Sequence, residues 1–303
     1  MWFVFTIATT LIWGLAELFY KKGARPEEKY AHLKITICVG FVMGAHALAT
    51  ILIQSLDFNI VNLLRYLPIS MCYILSMALS YFGMRFIEES ISDPIENTSG
   101  AICALLCALI LKESIDTVSA IAIMVIVAGI MGVGFLERNG DTDRSKKLGK
   151  KMAAVAFAMP FCYAILDAFG SFLDITYLEM DTTHLVNVTE DNIEDIANIS
   201  YELTFFLVAV ILLIFIKAKG VKFELPTQRD KILAAVCETA GQFTYVYALS
   251  GNGAIAAPII SSGCIVSVLL SRIFLKEKLS KWQYVFILLV IVGIVMLAVV
   301  EGE

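Results

Sequence analysis

Residues 94–115 read PIENTSGAICALLCALILKESI, and residues 258–279 read PIISSGCIVSVLLSRIFLKEKL. A shift of 164 residues, without gaps, lays Pro94-Ile95 on Pro258-Ile259 and Lys112-Glu113 on Lys276-Glu277. The register extends outward in both directions, to Tyr81 on Tyr245, Ile91 on Ile255, Gly129-Ile130 on Gly293-Ile294 and Glu137 on Glu301. Apolar bias can align Leu with Ile by chance, but it does not place Pro, Lys-Glu and Gly in one register. The chain reads as a duplication.

The duplicated unit belongs in a bilayer. Hydrophobic residues make up 59% of the 303 residues and charged residues 17%, with a mean hydropathy of +0.80. A soluble domain carries roughly a quarter charged residues, too many for this chain to match. Neither a Gly-rich phosphate loop nor a Cys/His metal spacing occurs, so no cofactor, metal or nucleic-acid partner is expected. All seven cysteines fall in apolar runs and read as packing residues. The first apolar run has no basic segment before it and no small-residue cleavage site after it, and reads as a retained helix.

Crossing hydrocarbon takes about 20 mostly apolar residues as a helix. Apolar runs between polar breaks predict an all-α protein of ten transmembrane helices, at 2–21, 33–54, 62–85, 91–111, 117–136, 152–173, 199–217, 231–250, 254–274 and 282–300. Two five-helix repeats, 1–137 and 152–303, flank a basic linker at 138–151, and residues 174–198 form an acidic loop. Within that loop, Asp191 and Glu194 have capping-box spacing and suggest an early start for helix seven. Corresponding helices lie five apart, an odd number, so each pair runs in opposite directions: an inverted-topology repeat. Of the Lys and Arg residues, 21 fall on one set of loops and only Arg65 and Lys112 on the other. The positive-inside rule then puts 138–151 in the cytoplasm, and both termini and the 174–198 loop outside a cell membrane.

Ionisable groups at bilayer depth cost at least ~2.5 kcal/mol on insertion scales, so each one is a functional candidate. Glu17 and Asp167 lie at similar depth in helices one and six, which are repeat mates. Glu17 reads as a coupling carboxylate or as a partner of Lys21; Asp167 has no base nearby in sequence. Glu238, Gln242 and Tyr245 form a polar stripe at helical spacing in helix eight. His46, in helix two, is a packing histidine or a proton relay. Glu96, Asn97 and Thr98 follow Pro94, as Ser261 and Ser262 follow Pro258, where a proline frees carbonyls and polar groups can line a cavity. Tyr73 and Tyr163 are deep enough to face such a cavity, whereas Tyr20, Tyr66, Tyr81 and Tyr284 lie near span ends and read as aromatic belts.

Trp13-Gly14 in helix one and the two segments running from proline to Lys-Glu-x-(Ile/Leu) resemble the EamA-type members of the drug/metabolite transporter superfamily. That resemblance implies ten helices in two inverted repeats, a small-molecule substrate and alternating access, with room for a homodimer. Leu15-Ala16-Glu17 is similar to the small multidrug resistance proteins of the same superfamily, in which a glutamate of helix one binds protons and cationic substrates. Well-known ten-helix members keep both termini in the cytoplasm, opposite to the charge bias here. The candidate substrate- and proton-binding residues are Glu17, Asp167, Glu238, Gln242, Tyr245, His46, Trp13, Asn97 and Ser261. Helix interiors without Lys or Arg disfavour a sugar-phosphate or nucleotide-sugar exchanger. A channel and a non-transporting sensor are the alternatives outside carriers.

Overall fold

The computed structural model describes residues 1–23, 28, 30–83, 95–112, 115–137, 150–180, 184–274 and 279–301. Among them the fold is all-helical, with ten helices of seven or more residues. These are α1 (Trp2–Gly23), α2 (Ala31–Gln54), α3 (Leu67–Gly83), α4 (Ser99–Leu106), α5 (Thr117–Glu137), α6 (Lys150–Ile175), α7 (Ile193–Ala218), α8 (Arg229–Ile260), α9 (Gly263–Phe274) and α10 (Lys281–Glu301). Five stretches (Trp2–Gly23, Ala31–Gln54, Ala158–Leu178, Ile193–Ala218 and Leu225–Ile260) are long and apolar enough to cross a membrane, and five shorter apolar helices accompany them. Pro94, the Lys276-Glu277 pair and residues 138–149 of the basic linker lie outside the described residues.

The molecule is apolar on its outside. Leu52, Ile53, Leu109, Ile211, Ile214 and Trp282 are exposed, while Asn62, Asp174, Glu202, Glu238 and Gln242 are buried. Lipid is as apolar as leucine, so outward-facing leucines cost nothing there, and polar side chains must find partners inside the bundle.

Several boundaries differ from the sequence reading. The two last linker residues, Lys150 and Lys151, already belong to α6. Beyond Ile175 a π-turn (Thr176–Met180) continues that helix, so the first residues of the expected acidic loop, Asp174 among them, are helical. The early start of α7 holds, but its N-cap is Asn192 and not Asp191, and no side-chain cap forms there. Helices eight and nine follow one another without a loop: the backbone kinks at Asn252, which is non-helical, at the break expected between residues 250 and 254.

Helix four breaks at Asn97-Thr98, and the ninth span breaks at Ser261-Ser262. Those two breaks are the same position under the 164-residue shift. The packing repeats as well: α1 lies on α8, α3 on α6, α2 on α7 and α5 on α10. At the last of these contacts, a Cβ on Gly129 would sit 2.9 Å from the Phe286 carbonyl oxygen, and one on Gly293 would sit 3.0 Å from that of Ala122. Residues 129 and 293, and likewise 122 and 286, are related by the same shift. Only glycine allows helices to approach so closely at both positions.

Candidate functional site

Four helices turn a polar stripe towards the centre of the bundle, each at the 3.6-residue period. From α1 come Trp13, Glu17, Tyr20 and Lys21; from α3, Tyr73, Met77, Ser80 and Tyr81; from α6, Tyr163, Asp167 and Ser171; from α8, Glu238, Gln242 and Tyr245. They enclose a cavity of about 150 Å³, completed by Tyr201 of α7 and by the two helix breaks, which contribute Glu96, Asn97, Ser99, Gly100, Ser261 and Gly263. Eight of the nine candidate residues therefore share one site: Glu17, Asp167, Glu238, Gln242, Tyr245, Trp13, Asn97 and Ser261.

The wall is hydrogen-bonded across the elements. Tyr20 Oη donates to Glu238 Oε2 at 3.2 Å, and Trp13 Nε1 donates to the Glu238 carbonyl at 3.3 Å. Ser80 Oγ donates to Glu96 Oε2 at 2.8 Å, and Asp167 is bonded to the Ser99 side chain. Tyr245 Oη is 2.9 Å from Tyr73 Oη and 2.7 Å from Ser171 Oγ, and its ring lies 4.9 Å from that of Trp13. At the breaks, Gly100 N–H donates to Ser261 Oγ at 3.1 Å, pinning α4 to the end of α8. Among the described residues the lining holds four carboxyl groups (Glu17, Glu96, Asp167 and Glu238) against one ammonium group, Lys21.

His46 lies elsewhere. Its Nδ1 is 2.8 and 2.9 Å from the two carboxylate oxygens of Glu202, a fully buried residue of α7. The pair joins α2 to α7 outside the cavity: adjacent residues of a helix point about 100° apart, so Tyr201 lines the cavity while Glu202 faces α2.

Tyr20, Tyr66 and Tyr81 are no aromatic belt. All three are buried, with the Tyr20 and Tyr81 rings 5.1 Å apart. Tyr66 instead donates its hydroxyl to Asp174 Oδ1, and Tyr73 reaches Asp174 Oδ2 at 3.3 Å. Lys21, Tyr20 and Ser171 were legible as members of the stripes of Glu17 and Asp167, at i+3 and i+4. Asp174 continues that of Asp167 at i+7. For Glu202 no sequence signal beyond its charge marks the partner.

Outside the spans, Glu28 accepts from Lys34 Nζ at 2.5 Å and from Lys231 Nζ at 2.9 Å. Partial burial pushes its carboxyl up, but the two ammonium groups outweigh this and hold it below its ordinary value.

An apolar exterior around a cavity lined by carboxyl groups defines a multi-pass helical membrane protein. Residues 197–299, from early in α7 to near the end of α10, match the model of the EamA-like transporter family. The match covers about a third of the chain and is to a family of transporters. It is 39% identical over 69 residues to an uncharacterized protein of Methanocaldococcus jannaschii, a match spanning 22% of this chain and 50% of that one. Its fold is shared with a solved crystal structure at a TM-score of 0.74 and 10% identity, over 98% of this chain and 96% of the other.

Proposed function

We propose that the protein is a secondary transporter that carries a small organic cation or zwitterion across a cell membrane by alternating access, with proton coupling. The observation that carries this reading is the cavity itself: four carboxyl groups and one lysine, walled by Trp13 and the tyrosines 20, 73, 81, 163, 201 and 245. Aromatic faces attract cations, and more strongly where water is scarce. Ammonium or guanidinium groups fit such a wall; among the described residues a phosphate ester would face four carboxyl groups with one ammonium group, Lys21, to meet it.

Alternating access is supported by the duplicated packing. Two sets of contacts, two turns apart along α8, are the proposed closures: the Tyr20–Tyr81 ring contact with the Tyr20–Glu238 bond, and the Tyr73–Tyr245–Ser171 bonds. Tyr81 and Tyr245 are related by the 164-residue shift, so each repeat supplies the same tyrosine to one closure. Inverted five-helix repeats, exchanging which closure is broken, would open the site to one face at a time. Glu17, Asp167 and Glu238 are the proposed coupling carboxylates. Each can hold a proton or a cationic group, and exchange of one for the other links the two fluxes.

The test is uptake by liposomes containing the purified protein, with tetraethylammonium, zwitterionic amino acids and a sugar phosphate as probes. Saturable counterflow of a cationic or zwitterionic probe is expected, driven by an imposed pH gradient. The Glu17→Gln/Asp167→Asn/Glu238→Gln variant should remain monodisperse and lose the pH drive. Undiminished drive in that variant, or saturable transport of the sugar phosphate alone, would refute the reading.

A further inference from the structure

Asp174 sits one helix turn beyond the cavity, at the end of α6, and is fully buried. Among the described residues no cation pairs with it. Tyr66 and Tyr73 hydrogen-bond to its two oxygens; Tyr201 lies beside Tyr73 at a ring distance of 5.8 Å; Tyr245 is next in line, and Asp167 is two turns back on α6 itself. Arg65, adjacent in sequence to Tyr66, donates instead to the His184 carbonyl at 3.1 Å. A buried carboxyl group served only by hydroxyls is costly as a structural device, since an apolar pair would pack as well without a charge to desolvate.

The hydroxyls do more than satisfy it: they connect it. From Asp174 Oδ2 the bonds run to Tyr73 Oη (3.3 Å), then Tyr245 Oη (2.9 Å), then Ser171 Oγ (2.7 Å). Tyr73, Tyr245 and Ser171 all line the cavity; Asp174 and Tyr66 do not. One turn before Tyr66, Asn62 makes two hydrogen bonds with the Val186 backbone, at 2.9 and 2.8 Å.

Resting on the transporter reading above, we propose that Asp174 is a further proton-carrying residue, joined to the cavity by a relay through Tyr73, Tyr245 and Ser171. Protonated Asp174 donates to Tyr73 Oη as Tyr73 passes its own proton to Tyr245, Tyr245 passes one to Ser171, and Ser171 releases one into the cavity beside Asp167. One proton leaves Asp174, one enters the cavity, and every hydroxyl is restored. Opening of the Asn62–Val186 contact reloads Asp174 from the face that carries residues 184–192. Asp174 then supplies, from outside the cavity, the protons that the cavity carboxylates exchange for the solute.

Infrared difference spectra of the purified protein between acid and neutral pH need no substrate. They should contain a protonated-carboxyl band that Asp174→Asn removes. In liposomes, that variant should lose tetraethylammonium accumulation driven by pH and keep counterflow at equal pH. Tyr66→Phe, which deletes one hydroxyl outside the cavity, should move the pH midpoint of the band and of the drive together. A band untouched by Asp174→Asn, or drive untouched by it, overturns the relay. If Asp174→Asn does not fold, Tyr66→Phe decides, and an unmoved midpoint overturns the proposal. A protein that transports none of the probes yet shows the Asp174 band would defeat the transporter reading and not the assignment of the proton site.

Discussion

Replacing Glu28 by glutamine isolates the energetics of the ion triad that ties the α1–α2 connection to α8. Lys34 and Lys231 are both buried, with 9% and 2% of their side chains exposed, and Glu28 is 25% exposed. Removing one partner of a fully buried pair costs about 3–5 kcal/mol, because a charge is left stranded. Here two ammonium groups lose their carboxylate, but the site is open to water at Glu28, so about 2–3 kcal/mol is expected. That corresponds to a roughly 30- to 150-fold shift in the unfolding equilibrium. The sign of the pH dependence follows from the depressed carboxyl. Its stabilisation is present in full above the ordinary value of 4.5 and is lost as pH falls through the lower value in the folded protein. Denaturant unfolding of wild type and Glu28→Gln in lipid nanodiscs should differ by a constant amount at neutral pH, and the gap should close as pH falls below 4.5. Glu28→Leu combined with Lys34→Met and Lys231→Met should recover most of the loss, since an apolar replacement strands nothing. A single variant within about 0.5 kcal/mol of wild type, the usual spread for surface substitutions, would refute the argument.

Gly100→Ala puts a Cβ 2.7 Å from the Ala257 carbonyl carbon, and should cost about 1–3 kcal/mol by overpacking where α4 meets α8; thermal melts check this. His46→Leu leaves the buried Glu202 without its partner, and should lower stability by about 1–3 kcal/mol in the same assay. Because His46 lies outside the cavity, tetraethylammonium binding by His46→Leu should match wild type, and weakened binding would return it to the site. In a cysteine-free background, Glu190→Cys should react with an impermeant maleimide in intact cells and Lys219→Cys only after lysis. The opposite pattern would invert the orientation taken from the basic residues.

Most of what places this chain in a bilayer was legible in the residues, as was the 164-residue register along which the two helix breaks coincide. Apolar runs of sufficient length fix the helices, and Pro, Gly and Lys-Glu matched across 164 positions fix the register. The stripes of the site were partly legible too. Glu238, Gln242 and Tyr245 lie on one face by spacing alone, and Glu17 and Asp167 stand at matching depths; all five reach the cavity. What the spacing left open is which way a stripe points. In water, the polar face of a helix turns outward and its apolar face inward, so periodicity reports orientation. In lipid both sides of a helix can be apolar, and a tyrosine near a span end serves an interface as well as a core. Tertiary packing alone turned Tyr20, Tyr66 and Tyr81 inward, drew Asp174 out of its expected loop into a buried network, and set His46 against Glu202 instead of in the cavity. Each of these was decided by a residue more than 50 positions away in the chain: by a ring contact for Tyr81, and for the others by a hydrogen bond that lipid could not have supplied.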